Sequence, residues 1–244
     1  MCGRYVSVAS TGDLVDEFDV EEPLDDDVAP SWNVAPTDPV RIVVERARKD
    51  ESEIHRQLRT VTWGLVPSWS KARTGGAKMI NARSETVATK PAFKTAAAKR
   101  RCLVPSLGYY EWQHVDGAKV PYFLHAPDDR MLAMAGLYEL WRDPDKAEDD
   151  PQRWLWTCTV ITRPATDALG EIHDRCPVLV PHYLRDRWLD CTSGDAGVAD
   201  ELLAEMPEPH LVPRQVGKAV GNVKNNGPEL IAPVAPEPQA QQLF

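Results

Sequence analysis

The chain has 244 residues, 43% of them hydrophobic and 27% charged, which is enough apolar material for a packed core. No apolar run reaches the roughly 18–20 residues that a membrane-spanning helix needs, and MCGRYVSVAS lacks the basic start and apolar stretch of a secretory signal. The five cysteines are odd in number, far apart and without a CxxC pair, so the sequence speaks against a disulfide framework or a structural zinc site and for a reducing cytoplasm.

In chain order, Asp13–Phe18 reads as a helix after a Thr11-Gly12 start signal. VRIVVE (40–45), VTWGLV (61–66), CLVPSLGYYEW (102–112), PYFLHA (121–126), MLAMAGLYELW (131–141) and WLWTCTVIT (154–162) read as strands, several of them buried on both faces. An acidic loop, 142–153, separates the last two. Helices are expected at Pro164–Ile172, Pro181–Leu189 and Ala199–Glu205. Strands outnumber helices without regular alternation, which predicts a single α+β domain over 2–234 rather than a doubly wound sheet. The proline-rich end, 235–244, is expected to be a disordered tail.

The formal charge of −9 disfavours a polyanionic partner, but it is unevenly spread. Residues 71–101 hold nine Lys or Arg and the single acid Glu85, whereas residues 13–27 hold nine acids and no base. The basic run is either a solvated face or a local phosphate-binding surface.

Cys2 is the residue with unusual chemical potential. Removal of Met1 leaves an α-amine and a thiol on adjacent carbons. An α-amine with a pKa of about 7.7–8.0 is roughly 10–20% unprotonated at pH 7, far more than a lysine. An aldehyde condenses with that amine to an imine, and the thiol then closes a five-membered thiazolidine. Taken alone, Cys2 is equally the second residue of an ordinary chain.

MCGRY at the start, NVAP (33–36), WGLVPSW (63–69), INARSET (80–86), GYYEW (108–112), IHDRCPV (172–178) and VGNVKNNGPEL (220–230) occur in this order. The set closely resembles the SRAP family, the SOS-response-associated peptidases understood as abasic-site processing proteins. The resemblance implies one α+β domain with a β-barrel-like core and a DNA-binding groove centred on Cys2. It implies covalent capture of abasic sites in single-stranded DNA. No metal and no cofactor are expected, and the oligomeric state is open, with a monomer as the default expectation.

Carried over by motif, Asn81 corresponds to an active-site asparagine, Glu111 to a carboxylate that takes protons from the terminal amine, and His173 to an acid/base histidine. Arg4 and Arg83 correspond to phosphate ligands, and Asn33, Pro36, Trp69, Thr162, Asn222 and Asn225 to positions lining the DNA channel. Each has a plainer reading as well: a turn for Asn81, an ion pair for Glu111, a structural histidine, surface arginines, a core tryptophan. Ser70 stands where some members carry a second Trp. Cys176 reads as packing. Two other activities fit the same residues, a thiol peptidase built on Cys2, His173 and Glu111 or Asn81, and a non-covalent single-strand binder using the basic run and Trp69.

Overall fold

A computed structural model describes residues 2–23, 28–47 and 53–234; the expected tail, 235–244, lies outside them, as does Met1. Thirteen strands are present among the described residues: β1 Tyr5–Ser7, β2 Glu22–Pro23, β3 Ser31–Val34, β4 Pro39–Ala47, β5 Ile54–Trp63, β6 Asn81–Arg83, β7 Arg101–Ser106, β8 Gly108–Val115, β9 Ala118–His125, β10 Leu132–Arg142, β11 Trp154–Pro164, β12 Arg175–Pro177 and β13 Val212–Gln215. The α-helices are short: α1 Thr11–Phe18, α2 Lys94–Lys99, α3 Asp167–Ile172, α4 Arg185–Leu189 and α5 Gly197–Glu205. None is long and apolar enough to cross a membrane.

β4 pairs antiparallel with β5 and β7, and β10 antiparallel with β7 and β11. β11 then returns to β5 through the parallel pairs Thr157–Thr62 and Cys158–Trp63, which closes a five-stranded barrel. The mixed α+β architecture with a barrel core is therefore present. Alternation along the strands fills the bore with Val40, Ile42, Val44, Val61, Trp63, Cys102, Val104, Met134, Tyr138, Cys158 and Val160, with Cys2 and Tyr5 packed into the same cluster. The opposite faces are buried too, Val43, Leu58, Leu103 and Ile161 packing with Leu14, Phe18, Trp188 and Leu202 of the helices. That double burial is why VRIVVE shows no polar alternation. A second sheet, ordered β13-β9-β8-β1-β3, packs around Val6, Tyr110, Phe123 and Val220.

Two glycines route the chain. β5 ends at Trp63, earlier than the expected 66, because Gly64 turns at φ +130° where a Cβ would lie 2.6 Å from the Gly76 carbonyl oxygen. β6 then takes the edge of β11 that β5 vacates, pairing Asn81 with Val160 and Arg83 with Thr162. The stretch 102–112, read as one strand, is two strands in different sheets. Gly108 bends it at φ +159°, and a Cβ there would lie 2.5 Å from the Leu124 carbonyl oxygen. The Ser106 hydroxyl closes the corner, accepting from the Gly108 N–H at 3.0 Å.

Helix boundaries move for local reasons. α1 begins at Thr11 rather than Asp13, because Ser10 and Asp13 form a reciprocal capping box. Pro164 ends β11, so α3 starts only at Asp167. The 181–189 stretch is a 3₁₀ turn, His182–Leu184, running into α4.

The basic run is smaller on the surface than in the sequence. Arg101 is buried, donating to the carbonyls of Ala97, Trp188 and Asp190 while its guanidinium lies 5.6 Å over the Trp188 ring. Arg100 is paired with Glu139 at 2.8 Å. Lys71, Arg73, Lys78, Arg83, Lys90, Lys94 and Lys99 remain on the outside.

Candidate active site

The parallel register of β6 on β11 sets Asn81 beside the chain's start, where its Nδ2 donates to the Cys2 carbonyl oxygen at 2.7 Å. Its Oδ1 is buried with no hydrogen-bond partner among the described residues, and so is the Tyr5 hydroxyl. Buried acceptors and hydroxyls are rarely left this way, and each exception calls for a reason. Cys2 itself is fully buried in the mouth of the barrel. Burial pushes its thiol up, the charge of Glu111 pushes it further, and the nearby amino-terminal charge pulls it partly back. The resting group is a neutral thiol.

Glu111 stands on β8, brought there by the Gly108 corner, and is almost fully buried. Desolvation raises its carboxyl above the usual range, against the opposing pull of the amino-terminal charge and of His173. Glu111 and His173 line one cavity of about 450 Å³ with Trp112, His114, Lys119 and Gly221. The His173 Nδ1 accepts the Arg175 backbone N–H at 3.0 Å and lies 2.8 Å from Asp174 Oδ1. The fold thus gathers Cys2, Asn81, Glu111 and His173, from positions as far as 171 residues apart in sequence, at one end of the barrel and its adjoining cavity.

The expected DNA-lining residues separate into two kinds. Arg4 donates through Nη1 to Asn33 Oδ1 at 2.7 Å and to the Val220 carbonyl at 3.0 Å. Asn33 is buried, and its Nδ2 reaches the carbonyls of Val220, Asn222 and Asn225 at 3.3, 3.1 and 2.9 Å. Asn225 Nδ2 donates to the Ala219 carbonyl, and Asn222 Oδ1 accepts from the Lys224 N–H. These side chains build the 218–225 loop. Pro36 sits half-buried in the turn after β3, where Thr37 adopts φ 76°. Thr162 is buried opposite Arg83 and accepts from the Arg175 guanidinium at 3.3 Å.

The second kind faces outward. Trp69 is 66% exposed, which removes the core-tryptophan reading. The Arg83 side chain is exposed and makes no hydrogen bond or ion pair with the described residues. Both are available to a ligand as they stand.

Sequence reasoning missed Arg175 and the cavity residues Trp112, His114 and Lys119. The β8–β9 hairpin that carries the last three turns at Asp116-Gly117, both with positive φ, a signal that VDGA offers in the sequence. Glu85, alone among nine bases, was the other readable signal.

A model of the family described as SOS response associated peptidase (SRAP) matches residues 1–223. The abasic site processing protein YoqW of Bacillus subtilis is 34% identical over 233 residues, spanning 95% of this chain and 99% of that protein. The abasic site processing protein HMCES of Xenopus tropicalis is 31% identical over 236 residues, spanning 86% of this chain and 68% of its own. A crystal structure of a protein from Bacteroides thetaiotaomicron superposes with a TM-score of 0.78 over 96% of this chain and all of that one, at 23% identity, a likeness of fold.

Proposed function

The chain belongs to the SRAP family, and from that premise we propose that it processes abasic sites in single-stranded DNA by forming a covalent thiazolidine with Cys2 once Met1 has been removed. The contact that carries this reading is Asn81 Nδ2 on the Cys2 carbonyl at 2.7 Å, which holds residue 2 beside the cavity shared by Glu111 and His173.

The chemistry asks for an unprotonated amine, an open-chain sugar and a thiol within reach. Glu111, its carboxyl raised by burial and so a better proton acceptor than an ordinary carboxylate, takes the proton that frees the amine. His173 donates a proton to the ring oxygen as the sugar opens to its aldehyde. The amine adds to the carbonyl carbon and water leaves, giving the imine. The thiol then adds across the C=N bond, sulfur bonding to carbon and the thiol proton passing to nitrogen, so one water is released overall. This last step uses a neutral thiol, as the burial of Cys2 provides. A general thiol peptidase needs a ready thiolate, which the same burial opposes. Trp69 offers a face for an unpaired base, and Arg83 a guanidinium for a phosphate.

The test is incubation with an abasic single-stranded oligonucleotide, then denaturing electrophoresis and peptide mass at residue 2. The expected result is a heat-stable adduct on Cys2 in protein whose intact mass lacks Met1, with no stable adduct from Cys2→Ser. An adduct elsewhere, a stable adduct from Cys2→Ser, or binding without preference for abasic over intact DNA would overturn the reading.

A further inference from the structure

The Arg175 guanidinium forks onto the Glu85 carboxylate, Nη1 on Oε1 and Nη2 on Oε2, the second at 3.0 Å. Nη2 also donates to the Thr162 carbonyl at 2.5 Å. Bidentate pairs of this kind fix geometry as well as charge. The fork holds Glu85 down to about 2, chiefly through the hydrogen bond from Arg175. It also ties β12 to the turn after β6, two elements that already share β11 as a neighbour.

His173 sits at the edge of this arrangement. Its Nδ1 has two incompatible neighbours, the Arg175 backbone N–H at 3.0 Å, which needs a lone pair, and Asp174 Oδ1 at 2.8 Å, which needs a proton. With Nδ1 accepting, the neutral ring carries its proton on Nε2. With Nδ1 protonated, the ring turns its donor to Asp174 and the Arg175 N–H loses its acceptor. Which partner prevails depends on how firmly the Arg175 backbone is held. The β12 pairing of Arg175 with Pro164 and the Ala165 N–H to the Asp174 carbonyl at 2.9 Å hold it from one side, the Glu85 fork from the other.

We propose that the Glu85–Arg175 fork is a positioning element for His173: by clamping the Arg175 backbone N–H on Nδ1, it keeps the neutral imidazole in its Nε2-protonated form and withholds Nδ1 from Asp174. The role rests on the reading of His173 as the proton donor above. Among the described residues, the charged and titratable groups around this ring include Asp174 and Arg175 on its own segment, with Glu111 on β8 and His114 and Lys119 of the hairpin across the cavity. Of these, the fork controls only the contest at Nδ1.

The test is NMR of the His173 ring in the full-length protein and its variants, reading the ring 15N shifts that distinguish the two tautomers, paired with adduct formation. In Glu85→Gln the ring 15N shifts move from the Nε2-protonated toward the Nδ1-protonated form, because Asp174 now wins the nitrogen. Asp174→Asn, which removes the competing carboxylate, leaves the Nε2-protonated form dominant. Arg175→Lys, which keeps the charge but not the fork, moves the shifts in the same direction as Glu85→Gln and serves if that variant does not fold. Unchanged ring 15N shifts in both fork variants overturn the proposal. Moved shifts with no adduct from any of the proteins overturn the reading of function and leave the positioning role standing.

Discussion

The two ends of the barrel are finished in opposite ways. At one end Trp156 is covered by the guanidinium groups of Arg46 and Arg59, 5.1 and 4.9 Å from its ring, and stacks on Tyr138 with centroids 5.4 Å apart. Several polar groups there are partnered, although the Arg100 Nε is not: Gln57 donates to Glu22 and to the Arg46 carbonyl, and Glu139 accepts from Arg100 Nη2 and the Leu140 N–H. At the other end Cys2, Tyr5 and Trp63 close the bore, and there the Asn81 Oδ1 and Tyr5 hydroxyl are buried without partners while the Glu111 carboxyl is raised by burial. One end spends most of its side chains on closure. The other leaves an amide oxygen and a phenol hydroxyl unsatisfied beside Cys2, at a cost of about 1–3 kcal/mol each, a cost that a ligand making the missing bonds would offset.

The contrast can be broken from either side. Trp156→Ala is expected to cost about 3 kcal/mol of stability, by loss of the stack and its cation–π partners, while folded protein still forms adduct at an ordinary rate. Urea unfolding and gel quantification separate the two effects. Asn81→Ala is expected to do the reverse. Losing the donor to the Cys2 carbonyl should slow adduct formation about 100-fold, with a smaller change in stability, as single-turnover kinetics on an abasic oligonucleotide would register. A slow Trp156→Ala protein would show that the two ends are coupled rather than distinct.

Glu111→Gln has the smallest expected effect and sharpens the comparison most. The folded-state carboxyl is raised above its unfolded value, so its favourable contribution is complete below the unfolded value of about 4.3 and is lost as pH rises through the folded one. The neutral amide does not suffer that loss. The variant should match wild type in acid and exceed it in stability at pH 8, as chemical denaturation across pH would report. A variant less stable than wild type at pH 8 would mean that the carboxylate supports the folded state.

Much of this molecule was readable in one dimension. The strands of the barrel are apolar runs long enough to be recognised, and the ordered motifs from MCGRY to VGNVKNNGPEL identified the family and the candidate cluster. Local chemistry could not reveal where those runs break. Only the approach of distant backbone, the Gly76 carbonyl at Gly64 and the Leu124 carbonyl at Gly108, makes those glycines corners.

The same limit explains the arginines and asparagines. Charge counting treated Arg100 and Arg101 as surface, because a guanidinium's destination depends on carbonyls and carboxylates supplied by remote elements, here Trp188, Asp190 and Glu139. Asn33 and Arg4 became ties for the 218–225 loop for the same reason. Residue types and their local spacing settle the inventory of amine, thiol, carboxyl and imidazole. Which of these share a cavity, which polar atoms go unpartnered and which way a carboxyl's proton affinity moves follow from burial and long-range contact, quantities that exist only once the chain has folded.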